Sequence, residues 1–135
     1  DLQKDAIEET TRLLTEKGME NVQLHLCGHE RMDERLPPES IGQFGAATFN
    51  LGYLPGGDKS VITQTATTRL GLRLSMDSLR PGGLLVVVAY RGHPGGPEEC
   101  DAARKEMEEL AKEISVEGDQ AIDATSPLLL AASKA

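Results

Sequence analysis

The sequence predicts an α/β fold built on a mostly parallel sheet that ends in an antiparallel strand. Three observations carry this. Apolar runs of strand length alternate with stretches of helical periodicity along the chain. The run at 84–89 is continuously apolar and bounded by glycines, as are strands buried on both faces of a parallel sheet. The last two strand-like stretches lie too close together for a helical crossover, so one of them must run antiparallel.

Taken in order, Ala6, Ile7, Thr10, Leu13 and Leu14 form a helical stripe over 4–17, and Gly18 follows where a C-terminal cap belongs. Val22, Leu24 and Leu26 alternate, which predicts a strand over 22–27 ending at Gly28. Residues 29–45 are polar, with Pro37-Pro38 in the middle, and read as a connection with one helical turn at its start. A short strand is expected at 46–49. Ser60 then caps a helix whose apolar positions Ile62, Ala66, Leu70 and Leu74 recur every four residues. Arg80-Pro81-Gly82-Gly83 stops it ahead of the strand at 84–89. Pro97 suits a first helical position, with Glu98 and Glu99 in the first turn where the helix dipole favours acids. Ala103, Met107, Leu110, Ala111 and Ile114 form the buried stripe of that helix, and strands at 119–124 and 127–133 close the sheet.

The 135 residues make a single domain, 1–135, large enough for a real core. With 22 acidic and 14 basic residues the net charge is -8, so the chain lacks the overall positive charge of a protein that coats nucleic acid. Any RNA contact must be local. Two cysteines, Cys27 and Cys100, are too few for a disulfide scaffold and suit a reducing, cytoplasmic compartment. No apolar run reaches membrane-spanning length. Residue 1 is not methionine, and the chain is expected to begin inside a longer protein.

The segment from Phe49 to Ser60 is the first site candidate. An amide at Asn50, an aromatic ring at Tyr53 and a Pro55-Gly56-Gly57 turn follow directly after an apolar strand. Ligands of open α/β sheets bind outside the carboxyl ends of the strands, and glycines there let backbone groups approach a substrate. Asp58 and His93 lie in glycine-rich loops flanking this position, and either could take or relay a proton. An imidazole has the ordinary pKa better suited to a base near neutrality. The plainer readings are a strand-end turn for Asn50 and local backbone bonding for Asp58. Thr63, Thr65, Thr67 and Thr68 crowd one helix start, where Thr63 and Thr65 could meet a substrate, although such hydroxyls usually bond their own preceding turn. Cys27, His29, His93 and Cys100 could in principle ligate zinc, but no CxxC pair supports it and no metal is expected.

Three motifs in order, Asn50-Leu51-Gly52-Tyr53-Leu54-Pro55-Gly56-Gly57-Asp58-Lys59-Ser60, Thr63-Gln64-Thr65-Ala66-Thr67-Thr68 and Tyr90-Arg91-Gly92-His93-Pro94-Gly95-Gly96-Pro97-Glu98-Glu99, resemble the putative rRNA methylase family. The resemblance runs from Asp1 to Ser133-Lys134. It implies a Rossmann-like class I methyltransferase sheet and the cofactor S-adenosyl-L-methionine. The implied partner is tRNA, methylated on the aminomethyl group of a wobble uridine. It also implies that about one strand-helix-strand unit, with an acidic glycine loop for the methionine end of the cofactor, precedes Asp1. Asp1 then resembles the acid that hydrogen-bonds ribose hydroxyls, with Leu2 against the adenine and Gln3 and His29 on the same side.

Related amino-group methyltransferases place Asn-Pro-Pro-Tyr where Asn50-Leu51-Gly52-Tyr53 stands, which departs at the two prolines. By that resemblance, Asn50 and the Leu51 carbonyl orient the amine, Tyr53 packs against the base, and Asp58 or His93 manages the proton. Lys59, Thr63, Thr65, Tyr90 and Arg91 are the expected substrate contacts, with Arg69 and Arg73 nearby in a local basic patch. A homodimer is left open. Two other readings remain: a small-molecule methyltransferase, which the acidic balance favours, and a non-catalytic binding domain.

Overall fold

The computed structural model describes residues 1–52, 64–118 and 125–135. Its elements are α1 (Lys4–Glu16), β1 (Phe44–Leu51), α2 (Thr65–Ser78), β2 (Leu79–Ala89), α3 (Gly96–Leu110), β3 (Ile114–Glu117) and β4 (Leu128–Ser133), with two short 3-10 turns at His29–Glu34 and Pro38–Ser40. The strands lie in the order β1-β2-β4-β3. β1 runs parallel to β2, whereas β4 is antiparallel to both β2 and β3. Three strands therefore point one way and β4 alone opposes them, as the short spacing before it requires.

Alternation along the strands sets the core. Phe49 and Leu51 of β1, Leu85, Val87 and Ala89 of β2, and Leu128, Leu130 and Ala132 of β4 share one buried face. They form one cluster with Leu72 and Met76 of α2 and Ala103 and Met107 of α3. Each fully buried leucine or valine there stabilises the fold by roughly 1.5–3 kcal/mol. On the opposite face Val86 and Val88 are half-buried and Leu84 is exposed, so β2 is covered on one side more than the other. The uninterrupted apolar run suggested equal burial of both faces. Among the described residues, α2 and α3 both pack against the same side.

Several expected boundaries move. Residues 22–27 form no strand, because the alternating stretch finds no ladder partner among the described residues; Val22 and Leu26 stay exposed. Within it, the His25 carbonyl accepts the backbone nitrogen of Asp1 at 3.0 Å. Gln64 is extended (φ -118°, ψ 142°), so α2 starts at Thr65, and Ser60 and Ile62 lie outside the described residues. Its buried face is Thr68, Gly71, Leu72, Ser75 and Met76, while Ala66 and Leu70 are exposed. Small residues win that face because α2 packs closely on its neighbours. Leu79 already belongs to β2, and Pro81-Gly82-Gly83 lies in a register shift between Phe44 and Ala46 of β1, inside the strand that it was expected to precede. α3 ends at Leu110, and Ile114 opens β3; residues 119–124 lie outside the described residues.

Polar groups lock α2 to α3. The Thr68 hydroxyl donates to buried Glu99 at 2.6 Å. Glu106, fully buried, accepts Arg69 Nε at 2.7 Å and Arg73 Nε as well. Burial alone would raise its carboxyl pKa, but the hydrogen bonds and charges of Arg73 and Arg69 together hold it below the ordinary value of 4.5. A depressed native pKa contributes stability above the ordinary value and loses it as pH falls through the native one. Glu106→Gln should cost about 1–2 kcal/mol at pH 7, since both guanidinium groups remain half in water. Denaturation at several pH values should show the two proteins converging below pH 4.5. Parallel curves would remove Glu106 from the acid response.

Candidate active site

The site is built by the pairing of β1 with β2. Leu51 lies opposite Ala89, and the Tyr90 backbone N–H donates to the Leu51 carbonyl at 3.3 Å. Both strands consequently end side by side, and the loops that leave them start together. At Gly52 (φ 148°) an added Cβ would sit 3.5 Å from Tyr90 Cδ2 and 3.8 Å from His93 Nε2. The bare glycine thus keeps backbone, phenol ring and imidazole around one space.

His93 Nδ1 lies 3.0 Å from the Pro94 carbonyl. A carbonyl can only accept, so Nδ1 carries the proton in that bond and the neutral ring presents a lone pair at Nε2. Asn50, one residue before the buried Leu51, is on the exposed side of β1. Asn50, Gly52, Tyr90 and His93 all line a cleft of about 1270 Å³ that continues to Asp1, Leu2, Gln3 and His29.

At this second end, Asp1 Oδ1 accepts the Gln3 backbone N–H at 2.8 Å, which fixes the carboxylate. Leu2 offers an exposed apolar surface. His29 stands edge-on to Phe49, with ring centroids 5.5 Å apart and planes at 62°. Its Nε2 is buried without a hydrogen-bond partner among the described residues. Burial lowers its pKa, against the opposing charges of Glu30 and Glu99. The ring is in place because residue 71 is glycine: a Cβ there would meet His29 Cδ2 at 2.7 Å and Phe49 Cε1 at 3.2 Å. A fixed carboxylate, an apolar surface and a buried ring nitrogen suit a ribose and an adjoining flat heterocycle, and they fit a nucleoside cofactor.

The cleft therefore gathers Asn50, Tyr90 and His93 at one end and Asp1, Leu2, Gln3 and His29 at the other. Thr65 is exposed at the start of α2 and does not line it. Arg91 spends its guanidinium on backbone carbonyls, with Nε 2.8 Å from Ser126 O and a terminal nitrogen 3.0 Å from Gly118 O. Arg69 and Arg73 are engaged by Glu106. Tyr53, Asp58, Lys59 and Thr63 lie outside the described residues. Sequence reasoning missed Arg35, exposed on the cleft wall and in none of the ion pairs formed among the described residues. It also missed Gln64 and Thr125 and ranked Thr67 below Thr63 and Thr65, although Gln64, Thr67 and Thr125 line the cleft. Only the path of the 3-10 turns shows that a cation in the polar connection reaches this wall.

A family model described as "Putative rRNA methylase" matches residues 1–131. The "tRNA (mnm(5)s(2)U34)-methyltransferase, chloroplastic" of Arabidopsis thaliana is 47% identical over 105 residues, 75% of this chain. The chain spans 38% of that relative's length. Among solved structures, a "putative rRNA-methylase" from Clostridium thermocellum superposes with a TM-score of 0.87 at 34% identity, over 100% of this chain and 73% of that one. A "putative methyltransferase" from Streptococcus mutans in complex with SAH gives 0.84 at 33% identity, again over 100% and 73%.

The Gly71 contact is open to direct test. Alanine would favour the helix by about 1 kcal/mol, but forcing a methyl against the His29 ring costs about 1–3 kcal/mol, so Gly71→Ala should be neutral to destabilising by roughly 2 kcal/mol. His29→Ala opens the space, and the double variant Gly71→Ala/His29→Ala should regain the helix preference. Additive losses in a double-mutant cycle would show that the two positions do not interact.

Proposed function

We propose that this chain, which belongs to the family described as "Putative rRNA methylase", works as an S-adenosyl-L-methionine-dependent methyltransferase acting on an RNA amine, most specifically the aminomethyl group of a tRNA wobble uridine. The observation that carries the reading is the single cleft with a nucleoside-fitting wall at one end and an amide-imidazole pair at the other. The names of the Arabidopsis relative and of the SAH-bound Streptococcus protein support the same chemistry.

The cofactor, when bound, supplies an electrophilic methyl group on a sulfonium. Asp1 would hold its ribose hydroxyls through the carboxylate oxygen that Gln3 leaves free, while Leu2 and His29 face its base. At the other end an aliphatic amine, with a pKa near the 10.4 of lysine, arrives protonated and has no lone pair. Asn50 accepts hydrogen bonds from the neutral form, which favours it and points its lone pair along the cleft. His93 Nε2 takes the proton, its orientation set by the Pro94 carbonyl. Tyr90 gives the base an apolar surface beside Gly52.

Arg35 is the cation that we assign to RNA phosphate on the cleft wall, in place of a broader basic patch. The internal engagement of Arg69, Arg73 and Arg91 favours a small-molecule amine as the second reading. Salt dependence separates the two. No helix among the described residues is long and apolar enough to cross a membrane. We place the activity where tRNA is found, in the cytoplasm or, as for the Arabidopsis relative, in a plastid.

Asn50→Ala should lower turnover on the order of a hundredfold with cofactor affinity nearly unchanged, because the amide acts on the incoming amine. His93→Gln should lower turnover on the order of a hundredfold, because it removes the base that takes the amine proton. Near-normal turnover of Asn50→Ala on tRNA would take the amide out of the reaction. Faster methylation of a free small amine than of tRNA would favour the second reading.

A further inference from the structure

We propose that Arg91 is a positioning residue: it clamps the chain around Gly118 and Ser126 to the loop that carries His93, and so makes Thr125 a wall of the reacting end of the cleft. The guanidinium lies between two backbone carbonyls from either side of the β3–β4 connection, Ser126 O at 2.8 Å from Nε and Gly118 O at 3.0 Å from a terminal nitrogen. One planar group with several fixed donors can hold both at once, which a lysine ammonium on its flexible stem cannot reproduce. The consequence is visible one residue on. A Cβ placed on Gly92 would meet Thr125 Cβ at 3.3 Å, so the two segments are in contact there. Thr125, Gly92, Tyr90 and His93 all line the cleft. Removing the guanidinium leaves the Ser126 and Gly118 carbonyls without these two bonds, and the wall at Thr125 loses that tie to the loop carrying His93.

This assignment replaces a phosphate contact by an internal one, and the two make opposite forecasts. A guanidinium bound to phosphate contributes to the salt dependence of RNA affinity, about 0.7–0.9 in the slope of log K against log salt, and a lysine largely restores it. A clamp contributes nothing to that slope.

The kinetic arm of the test rests on the methyl-transfer reading, whereas the exchange arm does not. In Arg91→Ala, amide hydrogen exchange at Thr125 and Ser126 should accelerate about tenfold or more, with the core amide of Val87 unaffected. The salt slope of tRNA binding should stay as in the unsubstituted chain. Turnover should drop about tenfold while the KM for S-adenosyl-L-methionine is retained, and Arg91→Lys should not recover it. Unchanged exchange at Thr125 and Ser126 would overturn the clamp, and so would a reduced salt slope restored by lysine. If the full-length protein transfers no methyl group, the methyltransferase reading fails, and the exchange measurement alone decides the clamp.

Discussion

The in-register parallel pairing of β1 with β2 is the constraint on which the rest depends. Because Leu51 lies beside Ala89, two loops separated by some forty residues of sequence begin next to each other. No side chain has to reach across a gap to make the site: Asn50, Gly52, Tyr90 and His93 are adjacent by virtue of where their strands stop. The apolar faces fix that register, since a slip by one residue would turn Phe49, Leu51, Leu85 and Val87 from the core to the opposite face of the sheet. Core packing and site geometry are in this sense the same requirement.

Behind the sheet, the helices are joined by polar contacts more than their hydropathy suggests. Thr68 with Glu99, and Arg69 and Arg73 with Glu106, place charged or hydroxyl groups between helices that were expected to meet through apolar stripes. Small residues at Gly71 and Ser75 permit that closeness, and the same closeness lets His29 sit against α2 beside Phe49. The His29 end of the cleft thus depends on helix packing, whereas the His93 end depends on strand ends.

This division explains what could be read in the sequence. The α/β alternation, the 84–89 strand and the antiparallel last strand were legible because each follows from local composition or spacing. The placing of Asn50 and His93 on one cleft was legible because Asn50 stands at the end of one recognisable strand and His93 shortly after another. That residues 22–27 form no strand was not, because alternation describes one strand and says nothing of whether a partner is there. Ile114 follows Leu110 at helical spacing and so read as helix, although a four-residue strand begins there. Pro81-Gly82-Gly83 looked like a stop because a register shift that tolerates it is a property of two strands together. Arg91 reads as a surface cation until Gly118 and Ser126 are seen beside it, and Arg35 reads as one of many charges until the chain around it is folded.

The clustering of the site around Tyr90 has an optical consequence. The chain contains no tryptophan and two tyrosines, Tyr53 and Tyr90. Tyr90 lines the cleft beside Gly52, and Tyr53 follows Gly52 directly in the chain. Part of the chain's phenol absorbance and emission therefore comes from Tyr90, at the cleft. The protein carries its own chromophore at the place where a ligand would arrive.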